Sequence, residues 1–344
     1  MKLEEVRWGI LGSAKITEVE IAPAMLKTPR SRIVAIGSRK LESARKLADS
    51  LGVESAYGSY AELLADPNVD AVYVPLPNTM HAEWTIAALK AGKHVLCEKP
   101  MGMSSAEVKA MVAAAREADK VLMEGFMYRF HPRISRIKEL LSLGTIGDVK
   151  LVRATYTFDL GAAKDVRSGS LDEDIRLNPD LGGGAVSDLG SYCISGLRLY
   201  AGSRPKSVVS WRHSSQGRAV ETMISGEIAF ENGVIGQFFA ALDIPGGGNI
   251  EILGTKGRIK MANAFRTRAE QGPITIEIHN LDKTTLEILP FQDQYELEIA
   301  HFISLILDDK KSDVVSMEDS IVNAFTLEAI RQSWVQGVVN VPAD

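Results

Sequence analysis

The chain has 344 residues, enough for two domains, and its 45% apolar and 24% charged residues are ordinary for a globular protein. Its 39 Lys and Arg against 44 Asp and Glu give a formal net charge of −5, which excludes a broad basic field for nucleic acid or an anionic membrane. No apolar run reaches the ~18 residues of a spanning helix, and Glu4 and Glu5 stand where a secretory signal has its apolar stretch. Cys97 and Cys193 form neither a disulfide framework nor a metal spacing. The expectation is a cytoplasmic protein with no metal site.

The first 125 residues alternate short β-rich runs (Val6–Leu11, Arg32–Gly37, Asp70–Pro75, His94–Cys97, Val121–Glu124) with amphipathic stretches. Leu41–Leu51 and Thr79–Ala91 each end at a glycine, Gly52 and Gly92, as helices do. Ser104 and Glu107 read as a capping box opening a helix to about Asp119. Strands alternating with helices predict a doubly wound parallel sheet. After residue 145 the period changes. Asp148–Phe158 reads as a long strand, a glycine-rich loop precedes a helix over Ser191–Tyr200, and hairpins follow at Asn232-Gly233 and Gly254–Gly257. Ile274–Leu289 is further strand, and helices over Asp293–Leu307 and Met317–Gln336 close the chain. The fold class is α/β, with a nucleotide-binding domain over 1–128. An α+β domain with a mainly antiparallel sheet is expected over 129–344.

A dinucleotide site needs a tight turn after the first strand, so that the pyrophosphate meets helix-terminal amides. Gly12, Ser13, Ala14, Lys15 and Ile16 occupy that turn, and Ala14 and Thr17 replace the later glycines of G-x-G-x-x-G. An ordinary βα turn has the same composition, so position in the alternating pattern is what supports the reading. At the end of the second strand Ser38, Arg39 and Lys40 stand where NAD sites carry a carboxylate. A hydroxyl and two cations suit a 2′-phosphate, hence NADP, with NAD the lesser option; a solvated helix start would look alike.

Pro75-Leu76-Pro77-Asn78-Thr79-Met80-His81 and Cys97-Glu98-Lys99-Pro100 follow the third and fourth of these strands, at the carboxyl edge where open α/β sheets bind ligands. Proline after Lys99 keeps that lysine out of helical geometry. With the glycine turn, P-N-x-x-H, A-G-K-H-V-L-C-E-K-P at Ala91–Pro100, the segment Gly125–Pro132 and Gly182–Tyr192, the chain resembles the Gfo/Idh/MocA oxidoreductase family over essentially its whole length. The resemblance implies a Rossmann domain, a domain with an open-faced antiparallel sheet, and homodimers or homotetramers through that sheet.

It also implies roles. Lys99 matches the lysine that contacts the reacting oxygen, and Glu98 the residue at the cofactor ribose or, equally, a turn-forming residue. Pro75, Leu76, Asn78 and His81 match the segment passing the cofactor, although His81 fits a helix-capping residue as well. Arg129 matches an arginine after the last Rossmann strand, with an interdomain ion pair as the alternative. His131 and the scattered methionines read as structural. Asp188-x-x-x-Tyr192 resembles the glucose–fructose oxidoreductase, dihydrodiol dehydrogenase and sugar dehydrogenase branches, where other members carry histidine. Positions i and i+4 share a helix face, so Asp188 and Tyr192 can serve one site; a core tyrosine is the alternative. Arg176, in the loop before the glycines, is a candidate substrate contact. Lys164, Arg167, Asp172, Glu173 and Asp174 in the same loop are candidates to shape the pocket.

Hydride transfer between a carbinol carbon and nicotinamide needs a group that exchanges the hydroxyl proton. Lys99 and Tyr192 both titrate near ~10 when free and must be shifted down to act near neutrality. Tyr192 is expected to move the proton, Lys99 to hold the oxygen and Asp188 to orient them, although the first two can exchange roles. The expected substrate is a sugar or cyclic polyol, foremost an aldose oxidised at its anomeric carbon. The alternatives are a keto-sugar reductase, a sugar–sugar oxidoreductase with tightly held NADP, and a non-catalytic NADP-binding regulator.

Overall fold

A computed structural model describes residues 4–162, 174–281, 283–308, 310, 312 and 314–342. The chain forms two compact units. The first comprises Met1–Phe130 and Asp293–Ile321, the second His131–Gln292 and Val322–Asp344.

In the first unit the alternation becomes β1 (Val6–Leu11), α1 (Ala22–Lys27), β2 (Ser31–Gly37), α2 (Leu41–Leu51), β3 (Ser55–Tyr57), α3 (Tyr60–Leu64), β4 (Ala71–Val74), α4 (His81–Lys90), β5 (His94–Glu98), α5 (Ser105–Glu117) and β6 (Leu122–Gly125). All six strands are parallel, in the order β3-β2-β1-β4-β5-β6. Such a sheet is buried on both faces, and residues 71–74 of β4 are accordingly all buried apolar side chains or Tyr73. The order reverses between β1 and β4, which opens the crevice beyond their carboxyl ends. Ser104 caps α5 by accepting the Glu107 N–H at 3.2 Å, but the Glu107 carboxylate reaches past it to the Met103 N–H at 2.8 Å.

The short elements α1, β3 and α3 carry too few residues to show a period and escape the sequence reading. A single domain boundary at 128/129 also gives no sign of the return of α8 (Gln294–Leu307) to the first unit. There Trp8 and Phe302 pack at a ring-centroid distance of 5.1 Å.

The second unit begins with α6 (Pro132–Ser142), β7 (Val149–Thr157), α7 (Ser191–Ala201), β8 (Pro205–His213), β9 (Met223–Phe230) and β10 (Ile235–Ala241). It continues with β11 (Gly248–Gly254), β12 (Gly257–Met261), β13 (Ile274–Asn280) and β14 (Lys283–Leu289). The later part of α9 (Met317–Gln336) and β15 (Val339–Asn340) complete it. Among the described residues its strands lie in the order β14-β13-β12-β11-β7-β10-β9-β8-β15, and of the adjacent pairs only β7 and β10 run parallel. Both expected hairpins form, β9 to β10 across Asn232-Gly233 and β11 to β12 across Gly254–Gly257. One face is packed by helices: Ser210 on β8 bonds Ser333 of α9 at 2.6 Å, and Arg136 of α6 forks onto Glu287 of β14 at 2.7 and 2.8 Å. Alternation turns Trp211, Leu286 and Ile288 to the opposite, uncovered face, where all three are exposed.

Candidate active site

The cofactor end of the first unit is built on the turn after β1. Gly12 adopts φ +107°, a conformation glycine alone takes readily, and its N–H donates to the Gly37 carbonyl at 2.7 Å. A Cβ at Gly12 would stand 3.1 Å from the Leu76 methyl, so this turn and the Pro75–Leu76 segment after β4 lie together. Ser13 and Lys15 are exposed, Ala14 and Ile16 half-buried. Lys15 pairs with Glu18 at 3.1 Å. A π-helical turn over Thr17–Ile21 then leads directly into α1. Thr17 is fully buried, and its hydroxyl has no partner. A positive-φ glycine turn followed by the exposed Ser13, an orphaned buried hydroxyl and a helix start fit a pyrophosphate.

At the end of β2, Ser38 is buried while Arg39 and Lys40 are exposed, with no carboxylate among them. The Arg39 guanidinium lies by the Tyr60 phenol, opposing the upward push that burial gives that phenol. This set fits a ribose that bears a phosphate.

Beyond β5 the Lys99–Pro100 peptide is cis. Glu98 accepts the Tyr73 O–H at 2.7 Å through one oxygen and the Lys99 N–H at 3.3 Å through the other. Burial, and then the charge of Glu98, hold the Tyr73 phenol well above its usual range. Lys99 and Asn78 are half-buried.

His81 requires a correction. It is fully buried, with Nδ1 2.9 Å from the Pro100 carbonyl and Nε2 2.8 Å from the Leu76 carbonyl. Both nitrogens face backbone carbonyls, so neither is turned toward a cofactor. The ring instead ties the P-N-x-x-H segment to the E-K-P turn. Burial lowers its basicity against the pull of the two carbonyls, and Lys99 adds a smaller lowering. Arg129 is also turned inward: it donates to the Val314 carbonyl at 2.8 Å and lies 3.5 Å from Asp319, an ion pair within the first unit and not one between domains. His131 caps α6, its Nδ1 accepting the Arg133 N–H at 3.0 Å.

In the second unit a π-helical turn over Val186–Gly190 runs into α7, so Asp188 and Tyr192 leave one continuous helix. Such turns recur at functional sites, and here one sits at each chemical end of the chain. Tyr192 is buried in an aromatic cluster, 5.5 Å from the Tyr156 ring and 5.7 Å from that of Phe265, while those two rings stack at 5.2 Å. Asp188 is half-buried.

Tyr156 escaped the sequence reading. Burial pushes its phenol up to about 12; Asp188 adds to the rise, and Arg266 and Arg268 oppose it. Its inward place on β7 was legible from alternation, its chemistry was not. Phe265 is presented by the loop after β12, which Arg133 of α6 clamps by donating to the carbonyls of Ala262, Asn263 and Ala264 at 3.1, 2.9 and 2.9 Å.

Arg176 lies over the Phe158 ring and forks onto Asp174 at 2.8 and 2.6 Å, so its charge is compensated within its own loop. Lys164, Arg167, Asp172 and Glu173 lie outside the described residues. Among the described residues no cluster of His, Cys, Asp or Glu could hold a metal, and no helix is long and apolar enough to cross a membrane. Both cysteines are buried free thiols, which burial makes harder to ionise.

A dinucleotide cradle with a lysine turn, followed in the same chain by an acid–phenol helix on a large mixed sheet, defines a nicotinamide-dependent oxidoreductase. The chain belongs to the Gfo/Idh/MocA oxidoreductase family. Residues 6–126 match the model of the oxidoreductase family with an NAD-binding Rossmann fold, and residues 134–260 match the GFO/IDH/MocA C-terminal domain. It is 35% identical to D-xylose 1-dehydrogenase (NADP(+)) 2 of Haloferax volcanii over 96% of this chain and 98% of that protein. A solved 3-ketoreductase from Actinomadura kijaniata, in complex with NADP and TDP-benzene, superposes with a TM-score of 0.87 at 31% identity over 96% of this chain and 98% of that one. That enzyme has also been crystallised with a tyrosine changed to phenylalanine and with a lysine changed to alanine or glutamate. An aldose–aldose oxidoreductase from Caulobacter crescentus has a TM-score of 0.86 at 26% identity, over 98% and 99% of the two chains.

Proposed function

We propose that the protein oxidises an aldose at its anomeric carbon with NADP as hydride acceptor. The observation that carries this is the helix-borne pair Asp188 and Tyr192, set against Tyr156 and Phe265 in an apolar, aromatic-walled site. Aromatic faces suit the C–H faces of a pyranose, and a phenol beside a carboxylate suits proton exchange with its hydroxyl. The 35% identity to a xylose dehydrogenase supports the choice of substrate class. NADP, when bound, supplies the hydride chemistry. Gly12, Ser13, Ala14, Lys15 and Ile16 would hold its pyrophosphate, Ser38, Arg39 and Lys40 its 2′-phosphate, and Pro75, Leu76, Asn78 and Glu98 the remaining length.

In the reaction the Tyr192 phenolate takes the anomeric hydroxyl proton and becomes the phenol, Lys99 polarises the same oxygen, and Asp188 orients the Tyr192 side chain. The division at 1–128 and 129–344 separates cofactor from substrate work in this reading, with the α8 segment serving the first. The exposed Trp211, Leu286 and Ile288 on the uncovered sheet face support pairing with a second copy; sedimentation showing a monomer would contradict that pairing.

The test is nicotinamide absorbance with xylose, glucose and other aldoses, in NADP and in NAD, with Lys99→Ala and Tyr192→Phe as controls. Turnover of an aldose that both controls abolish is the expected result; a Tyr192→Phe enzyme that keeps its kcat refutes the proton assignment. The 31% identity to the ketoreductase favours a second reading, reduction of a keto-sugar on the same residues. Oxidation of NADPH by a keto-sugar, with no activity on aldoses, would select it.

A further inference from the structure

The helix that carries Asp188 and Tyr192 starts without a cap of its own. Gly184, whose carbonyl accepts the Asp188 N–H at 3.1 Å, has no side chain, and Ala185 offers no acceptor to the first N–H groups either. The missing acceptor comes from residue 221, just before β9. The Glu221 carboxylate accepts the Val186 N–H at 3.1 Å, and the Glu221 carbonyl accepts the Ala185 N–H at 2.9 Å. That carboxylate lies so close over Gly184, at φ +112°, that a Cβ there would stand 2.3 Å from Oε1. Arg331 of α9 grips the next residue, donating to the Ser187 hydroxyl at 2.9 Å. Glu221 and Ser187 are both buried.

We infer that Glu221, with Arg331 beside it, is a positioning residue that holds the π-helical turn Val186–Gly190 and thereby aims Asp188 relative to Tyr192. The inference rests on the reading of those two residues as the proton-handling pair. The physical reason is helical phase. A π-turn holds one residue more than an α-turn, and one residue is about 100° of rotation. Asp188 lies inside the turn and Tyr192 in the first turn of α7, so relaxation to plain α-helix would swing Asp188 away from its present bearing. A negative group at a helix N-terminus is favourable in itself. Burial raises the Glu221 carboxyl, while its amide bonds and the charges of Arg331 and Arg212 favour the ionised form.

The experiment compares Glu221→Ala, Glu221→Gln and Arg331→Met with the wild type, reading kcat, the KM for NADP, and the pH profile of kcat. Glutamine keeps an oxygen for the Val186 N–H; alanine does not. Glu221→Ala is expected to lower kcat roughly 10- to 100-fold and to displace the pH profile, with the KM for NADP within about twofold. Glu221→Gln should recover most of that loss, and Arg331→Met should fall between. If Glu221→Ala does not fold, Arg331→Met decides by the same readouts. A folded Glu221→Ala or Arg331→Met enzyme with unchanged kcat and pH profile, losing only thermal stability, overturns the inference. Should Tyr192→Phe prove fully active, the proton-handling reading fails by itself. Positioning is then judged by NMR of ring-labelled tyrosine, where Glu221→Ala must shift the Tyr192 signal and Glu221→Gln must not; an unmoved signal overturns it.

Discussion

The imidazole of His81 lies between two backbone carbonyls, with Nδ1 2.9 Å from Pro100 and Nε2 2.8 Å from Leu76. A neutral ring has one N–H, so it donates to one carbonyl at a time, and only the imidazolium would satisfy both. Burial and the charge of Lys99 lower its basicity, while the two carbonyls favour the protonated ring. It joins the cofactor segment after β4 to the lysine turn after β5. His81→Ala should therefore cost about 2–3 kcal/mol of stability, from a cavity and an abandoned carbonyl. It should also lower kcat through displacement of Lys99. Thermal unfolding and steady-state kinetics check this; an active enzyme of wild-type stability would refute it.

The cofactor preference is tested at Arg39. A charge-assisted contact with a 2′-phosphate contributes about 1.5–3 kcal/mol, or about 10- to 100-fold in affinity. Arg39→Ala should weaken NADP by that factor and leave NAD unchanged, as read by titration of each dinucleotide. Equal losses for both would show that Arg39 serves the fold or the shared part of the cofactor.

Acid stability should fall earlier than for a protein with exposed histidines. Burial lowers both His94 and His131 to about 4, and in each Nδ1 accepts a backbone N–H, from Val121 and Arg133 respectively. The unfolded chain takes up these protons near pH 6.5 and the folded chain only near 4, so stability falls as pH drops through that window. Chemical denaturation at pH 7, 5.5 and 4.5 should show the loss, and His131→Asn, which keeps a capping acceptor, should reduce it. Equal losses in variant and wild type would assign the window to other groups.

Gly184→Ala meets two obstacles, a backbone at φ +112° and the Glu221 carboxyl at 2.3 Å. A cost of about 3 kcal/mol or more is expected, with activity falling further than stability because the π-turn is displaced. A soluble variant with normal kcat would mean that this turn tolerates movement.

Arg133→Met frees three carbonyls in the loop that presents Phe265 to Tyr192. The buried guanidinium is replaced by a side chain with no N–H, and a loss of about 3 kcal/mol is expected. The aldose KM should rise while the NADP KM holds, since the loop belongs to the unit that carries Tyr192. A change confined to the NADP KM would contradict the assignment.

The sequence alone determined the parallel sheet, because strands buried on both faces need unbroken apolar runs such as Ala71–Val74, and the hairpin at Asn232-Gly233, because left-handed turns select those residues. It also determined the chemical inventory at Gly12, Ser38–Lys40, Glu98–Lys99 and Asp188–Tyr192, since each depends on neighbours a few residues away. Only the tertiary structure decided what those groups face. His81 and Arg129 carry the side chains of ligand-binding residues, yet carbonyls from Leu76, Pro100 and Val314 claim them. Tyr156, Glu221 and Arg133 have no local motif; their partners lie 35 to 131 residues away or across a sheet. Hydrogen bonding and burial act through space, so a pattern read along the chain finds the donors and acceptors but not the pairs they form.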